Sequence, residues 1–321
     1  MTQENNNRVE TIGKIRTAIN KVLIGQKEVV TQVLLAVLSG GHILLEGVPG
    51  LGKTLLARAL AKCFDGSSSR IQFTPDLMPA DICGHLIFDN ASGDFHTRKG
   101  PVFTNILLAD EINRASAKTQ SALLEVMQEN QVTIEGTTYP ISPPFITIAT
   151  QNPLDQEGTY PLPEAQLDRF IIKVNMDFPN EADEIAMVMK TTDNAVGDQL
   201  DLSSITPIIN AAGIEAMKKA AAGITISERI ASYAVRIVAA TRTRDGLLHG
   251  AGPRASIALV RLARSMAFLN GRDYVIPDDI TDVVRPALRH RIGLSVGLSL
   301  EETRIDTVLE EIAASVEAPR E

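Results

Sequence analysis

The stretch GVPGLGKT, residues 47–54, has the makings of an anion cradle. Glycines at 47, 50 and 52 allow consecutive backbone N–H groups to turn toward one point. Lys53 adds a cation suited to β- and γ-phosphates, and Thr54 a hydroxyl suited to Mg2+. The pattern G-x-x-x-x-G-K-[ST] arises by chance in on the order of one chain of this size in a hundred. The nucleotide contacts expected from it are Gly47, Val48, Pro49, Gly50, Leu51, Gly52, Lys53, Thr54 and the adjoining Leu55.

Three further places carry chemistry. NILLADE (105–111) closes an apolar run with Asp110 and Glu111. Asp110 suits a Mg2+ ligand at a strand end, and Glu111 a group that orients or deprotonates a water. Asn152, in QNP after FITIAT (145–150), places a neutral amide beside them; alone, Asn-Pro is simply a turn. GPRAS (252–256) puts Arg254 at a helix start, where a cation opposes the macrodipole unless an anion is bound. The expectation is that Arg254 reaches over to the nucleotide. Arg169, in LPEAQLDRF (162–170), either pairs with Asp168 or points outside its own chain.

The elements that must hold these groups follow from periodicity. Ile12, Ile15, Ile19 and Val22 mark an amphipathic helix, and a second runs over 28–38. HILLE (42–46), IQF (71–73), NILLAD (105–110), FITIAT (145–150) and FIIKVNM (170–176) read as strands. Helices over 53–64 and 116–129 alternate with them, which predicts a mainly parallel sheet covered on both faces. Segments 85–98 and 131–141 read as hairpins turning at Asn90–Gly93 and Glu135-Gly136. After Pro179 helices are expected over 181–192, 204–220, 227–243, 253–270, 277–288 and 299–316. The last is expected to open on a Ser299–Glu302 capping box. The expected division is an α/β nucleotide-binding core over 1–178 and a helical domain over 179–321.

Composition narrows the partners. With 31 Lys plus Arg against 39 Asp plus Glu, the net charge of −8 disfavours nucleic acid as main partner. Aromatics are only 4%, too few for a base-stacking platform. Cys63 and Cys83 form no metal or disulfide framework, and the five histidines lack ligand spacing. No stretch reaches the roughly 18 apolar residues of a membrane span. A cytoplasmic protein without membrane insertion is expected.

Together these motifs resemble an AAA+ ATPase. GVPGLGKT is similar to its Walker A, ILLADE to its Walker B, Asn152 to sensor 1 and Arg254 to sensor 2 on a helical lid. VLIGQ (22–26) resembles the segment that lines the adenine pocket, through Ile24, Gly25 and Gln26. The stretches 100–129 and 148–170 are similar to the MoxR family in particular. That resemblance implies a five-stranded P-loop core with inserted hairpins and an all-helical lid. It implies Mg-dependent hydrolysis of ATP to ADP, with Lys53, Glu111, Asn152, Arg169 and Arg254 as catalytic residues and Thr54 and Asp110 at the metal. It also implies a ring, a hexamer favoured, with Arg169 supplied to the neighbour's γ-phosphate. Protein clients and a separate partner with a von Willebrand factor A domain go with a chaperone-like role. A magnesium-chelatase-type motor subunit and a slow nucleotide-dependent switch are the alternatives. Thr74 or Asp76 lies where a residue restraining Glu111 would sit.

Overall fold

The computed structural model describes residues 3–153, 159–192 and 202–319. The part of the 148–170 stretch at positions 154–158 lies outside them. Helices α1 (Gln3–Val22) and α2 (Lys27–Leu38) lead into β1 (His42–Glu46), α3 (Lys53–Cys63) and β2 (Ser68–Gln72). A short α4 (Pro79–Cys83) opens a hairpin of β3 (Gly84–Asp89) and β4 (Asp94–Lys99). Then come β5 (Ile106–Asp110), α5 (Ala117–Glu129), and a second hairpin of β6 (Gln131–Ile134) and β7 (Thr137–Pro140). The core closes with β8 (Ile146–Gln151), α6 (Glu164–Leu167) and β9 (Phe170–Asn175).

Five strands form one sheet in the order β2-β5-β8-β1-β9, and every pair is parallel. All five therefore end on one edge, which is where such sheets bind ligands. β1, β5, β8 and most of β9 are buried while the edge strand β2 is largely exposed; the strand period of two divides the core, with a register shift between Phe170 and Ile172. Ile43, Leu45, Ile106, Leu108, Ile146, Ile148, Ile172 and Val174 face α1, α2 and α3. Leu44, Leu107, Ala109, Ala149 and Phe170 face the cluster built on α5 and the hairpins.

Beyond β9 the regular elements among the described residues are helices, apart from one short ribbon: α7 (Glu181–Thr192), α8 (Ala211–Ala222), α9 (Glu228–Thr243), α10 (Pro253–Leu269), α11 (Pro277–Leu288), α12 (Val296–Leu300) and α13 (Ile305–Ser315). The ribbon pairs β10 (Leu247–His249) with β11 (Gly293–Leu294), too short to show a period. Two expected helices start late. Residues 204–210 are not helical: Pro207 interrupts them, and Ile208 and Ile209 donate instead to Cys63 O at 2.9 and 3.1 Å. Ser299 and Glu302 do not open a helix but close α12. Glu302 turns left-handed at φ 54° and Thr303 N returns to Leu298 O at 3.1 Å, a C-terminal closure. The stripe Val308, Leu309, Ile312 is buried as its spacing predicts, on a helix that begins at Ile305.

The helical part packs against the sheet's β9 side. Ser39, just past α2, shares a 2.8 Å hydroxyl hydrogen bond with Ser265 of α10. His290 and Arg291, just past α11, donate to Phe170 O at 2.9 and 2.7 Å.

Candidate active site

The phosphate loop follows β1 directly. Gly50 and Gly52 have φ of 90° and 89°, which glycine alone adopts without strain. A Cβ on Gly47 would stand 2.9 Å from Met176 O, and one on Gly52 2.7 Å from Leu23 Cδ1. Above Gly50 there is open space. Helix α3 starts without a side-chain cap or an acidic first turn, so no side chain caps its first N–H groups. Lys53 is 8% exposed, and its Nζ donates to Gly47 O at 2.8 Å across the loop. Uncapped N–H groups, a buried cation and an open cradle fit a polyphosphate. The oxygen donors of Thr54 and Asp110 suit Mg2+, a hard cation. Leu23 against Gly52 brings the Ile24–Gly25–Gln26 turn beside the loop, and Gln26 Nε2 fixes it by donating to Asp177 O at 2.8 Å.

Asp110 and Glu111 sit on the same sheet edge. Thr150 at the end of β8 binds both: its Oγ1 donates to Asp110 Oδ1 at 2.6 Å and accepts from Glu111 N at 2.9 Å. Arg70 of β2 pairs with Asp110 Oδ2 at 2.6 Å. Glu111 is left-handed at φ 57°, an uncommon state for a non-glycine residue. Gln120 stabilises this turn from below, its Nε2 donating to Ile112 O and Ala115 O, each at 3.1 Å. The Glu111 carboxylate accepts from Gln72 Nε2 at 2.7 Å and lies 3.1 Å from Arg114 Nη1. Asn152 follows β8 at this edge and is 6% exposed.

Gln72, not Thr74 or Asp76, therefore touches Glu111. Thr74 instead hydrogen-bonds Asp76 beyond the strand, which holds the Asp76 carboxyl below its usual range. Sequence reasoning missed Arg70, Gln72, Arg114 and Thr150. A signal existed in SSRIQ: Arg70 and Gln72, two apart, occupy one face of a strand that neighbours the acids.

Arg169 and Arg254 lie elsewhere. Arg169 immediately precedes β9, whose Phe170 pairs with His42 at the start of β1. The phosphate loop follows the far end of that strand, roughly 16 Å away at the rise of a parallel strand. Arg169 Nη1 donates to Leu124 O at 2.7 Å. Asp168 accepts from Arg291 Nε at 2.7 Å and lies 3.9 Å from Arg254 Nη1. Both arginines line a 670 Å3 cavity at this edge together with Lys218, Arg261 and Arg291. The expected reach of Arg254 to its own chain's nucleotide is not what the structure has. The contacts of α10 with α2, and of the α11 end with β9, hold the start of α10 at the opposite edge.

His42 lines the same cavity as scaffold. Its Nδ1 accepts from Thr147 N at 3.0 Å, so Nε2 carries the proton it donates to Met127 O at 2.9 Å. Burial pushes its pKa down to about 4, which keeps the ring neutral. Burial likewise pushes the Cys63 and Cys83 thiols up to about 11, away from reactivity. Among the described residues no three His, Cys, Asp or Glu side chains cluster as a metal site. No described helix is long and apolar enough to cross a membrane.

Residues 42–172 match the model of the ATPase family associated with various cellular activities (AAA), and residues 239–312 match an AAA lid domain. The chain is 40% identical to Chaperone MoxR1 of Mycobacterium tuberculosis, over 97% of this chain and 83% of that one. It is 41% identical to the uncharacterized protein YeaC of Bacillus subtilis, over 96% and 95%. A crystal structure of a candidate ATPase from Cytophaga hutchinsonii superimposes with a TM-score of 0.91 at 42% identity, covering 99% of this chain and 98% of that one.

Proposed function

Since the chain belongs to the MoxR family of AAA+ ATPases and hydrolyses ATP, we propose that it works as a ring whose sites are shared between neighbours. The observation that carries this is the separation within one chain. The phosphate loop, Asp110, Glu111 and Asn152 occupy one sheet edge, and Arg169 and Arg254 the other. Head-to-tail contact joins one copy's arginine edge to the next copy's phosphate edge. Such heterologous contacts close into rings, here a hexamer by family resemblance.

In this reading Gly47–Leu55 hold the phosphates of ATP, Ile24, Gly25 and Gln26 line the base, and Thr54 and Asp110 hold Mg2+. The metal, when bound, neutralises charge that develops on the phosphate oxygens. Glu111 orients the attacking water, and Asn152 steadies it or the γ-phosphate. Arg169 and Arg254, from the neighbour, stabilise negative charge in the transition state. Residues 1–178 act as the core and 179–321 as the lid that moves against it.

Turnover in this scheme remodels or activates client proteins, in the chaperone-like manner that the name of the Mycobacterium tuberculosis relative suggests. The tip of the first hairpin supports a protein client: Phe88 and Phe95 are 50% and 67% exposed with ring centroids 5.1 Å apart. A separate von Willebrand factor A protein and a cytoplasmic setting complete the proposal. The test is ATPase rate per subunit against protein concentration at saturating Mg·ATP. The rate should rise with concentration and vanish in Lys53→Ala. A concentration-independent rate that survives Arg169→Ala rules out shared sites.

A further inference from the structure

Arg70 joins two groups that catalysis uses separately. Its Nη2 and Nε lie 2.6 and 3.2 Å from Asp110 Oδ2, and the same Nη2 donates to Gln72 Oε1 at 2.8 Å. With its oxygen held there, the Gln72 amide must present its NH2 elsewhere. It presents it to Glu111, 2.7 Å away. The strand makes this possible. Arg70 and Gln72 share a face of β2, and the register sets Gln72 opposite Asp110.

The chemistry is directional. The Asp110 side chain is 12% exposed, so its charge needs a counter-ion; Thr150 supplies only a hydrogen bond. Arg70 supplies the charge, yet its own side chain is 50% exposed and has a way out to solvent. Two cations on one carboxylate repel. We propose that Arg70 is a tethered counter-ion that holds Asp110 until a divalent cation binds there. Arg70 then swings out, its hold on Gln72 ends, and Glu111 is freed from the Gln72 amide to act on water, with Arg114 its remaining partner. Metal occupancy thereby gates the catalytic carboxylate. This rests on the reading that Asp110 and Thr54 serve Mg2+.

The experiment titrates Mg2+ into the full-length protein with N-methylanthraniloyl-ADP and follows nucleotide fluorescence. Arg70→Ala should lower the half-saturating Mg2+ concentration by roughly tenfold, leaving metal-free ADP binding unchanged. The relay is read from side-chain amide signals of protein labelled with 15N-glutamine. The Gln72 signal, assigned by its loss in Gln72→Met, should shift when Mg2+ joins ADP in the wild type. In Arg70→Ala it should stand shifted before Mg2+ is added. Arg70→Lys keeps the charge without the two-pronged reach, so it should keep the Mg2+ midpoint and lose the amide shift; if Arg70→Ala does not fold, this spectrum decides. An unchanged midpoint in Arg70→Ala, or a Gln72 signal blind to Mg2+ in the wild type, overturns the inference. A Thr54→Ala control separates the two readings. If it raises the midpoint while Arg70→Ala does nothing, the metal site stands and the Arg70 device falls. If Mg2+ leaves wild-type ADP binding untouched, both fall.

Discussion

Asp168 accepts the Arg291 Nε hydrogen bond at 2.7 Å, so the carboxylate next to Arg169 in sequence is engaged by a buried guanidinium from the helical part. Arg169 is not Asp168's partner; it donates to the Leu124 carbonyl and lines the open cavity at the sheet edge opposite the phosphate loop. An arginine held by one backbone oxygen beside a cavity suits the proposed role of meeting a neighbour's phosphate. We expect Arg169→Ala to cut the ATPase rate by on the order of 10³ while leaving nucleotide affinity near wild type. Mixing it with Glu111→Gln, which should also be inactive, should restore about a quarter of the interfaces and a matching share of activity. A mixture that stays silent argues that the arginine acts within its own chain.

Asp168 carries a different expectation. Arg291 is 4% exposed at its side chain, and removing Asp168 leaves that charge with backbone carbonyls only. Breaking one side of a buried pair costs about 3 kcal/mol or more. Asp168→Ala should therefore lower the urea midpoint substantially, where Arg169→Ala should barely move it. Equal midpoints for the two variants would mean the Arg291 contact contributes little.

The strands and the phosphate loop were legible because both rest on local pattern. Short continuous apolar runs alternating with helical segments mark β1, β5, β8 and β9, and glycine spacing marks the cradle. What could not be read was side-chain direction across elements. Gln72 and Glu111 are 39 positions apart in sequence and meet only because β2 pairs with β5. Arg254 was placed from a local conflict, a cation at a helix start, and that conflict names no edge of the sheet. Its location depends on how α10 and α11 dock on α2 and β9, through contacts such as Ser39–Ser265 that carry no sequence signature. Ser299 and Glu302 have capping-box spacing yet end a helix, since the spacing alone does not say which side is helical.

Gln72 restrains Glu111, so losing it should release activity rather than abolish it. A hydrogen bond to a charged carboxylate is worth about 1.5–3 kcal/mol, which sets a ceiling on the order of a hundredfold on the gain. Gln72→Leu keeps the side-chain volume and removes both amide contacts. Its basal ATPase should rise several-fold over wild type within that ceiling, without change in ADP affinity. A fall in rate would instead place Gln72 among the groups that position the water.

His42 predicts the shape of the acid limb. Its pKa lies at about 4 in the folded chain against 6.5 for the free side chain. Above pH 6.5 both states hold it neutral and it adds no pH dependence. As pH falls from 6.5 toward 4, the unfolded chain takes up a proton that the folded chain refuses, and stability is lost. The slope is about 1.4 kcal/mol per pH unit, so the loss by pH 5 is about 2 kcal/mol. Some residual solvent contact of the ring makes this an upper figure. His290, also lowered well below its ordinary value by burial, pulls in the same direction. His42→Gln can still accept from Thr147 N or donate to Met127 O but does not titrate. Urea unfolding at pH 7.5, 6 and 5 should show the wild type losing more stability than His42→Gln across that range. The gap should open only below pH 6.5. Parallel curves would mean the ring protonates in the folded state without penalty, and that the Thr147 N–H is not its obligatory donor.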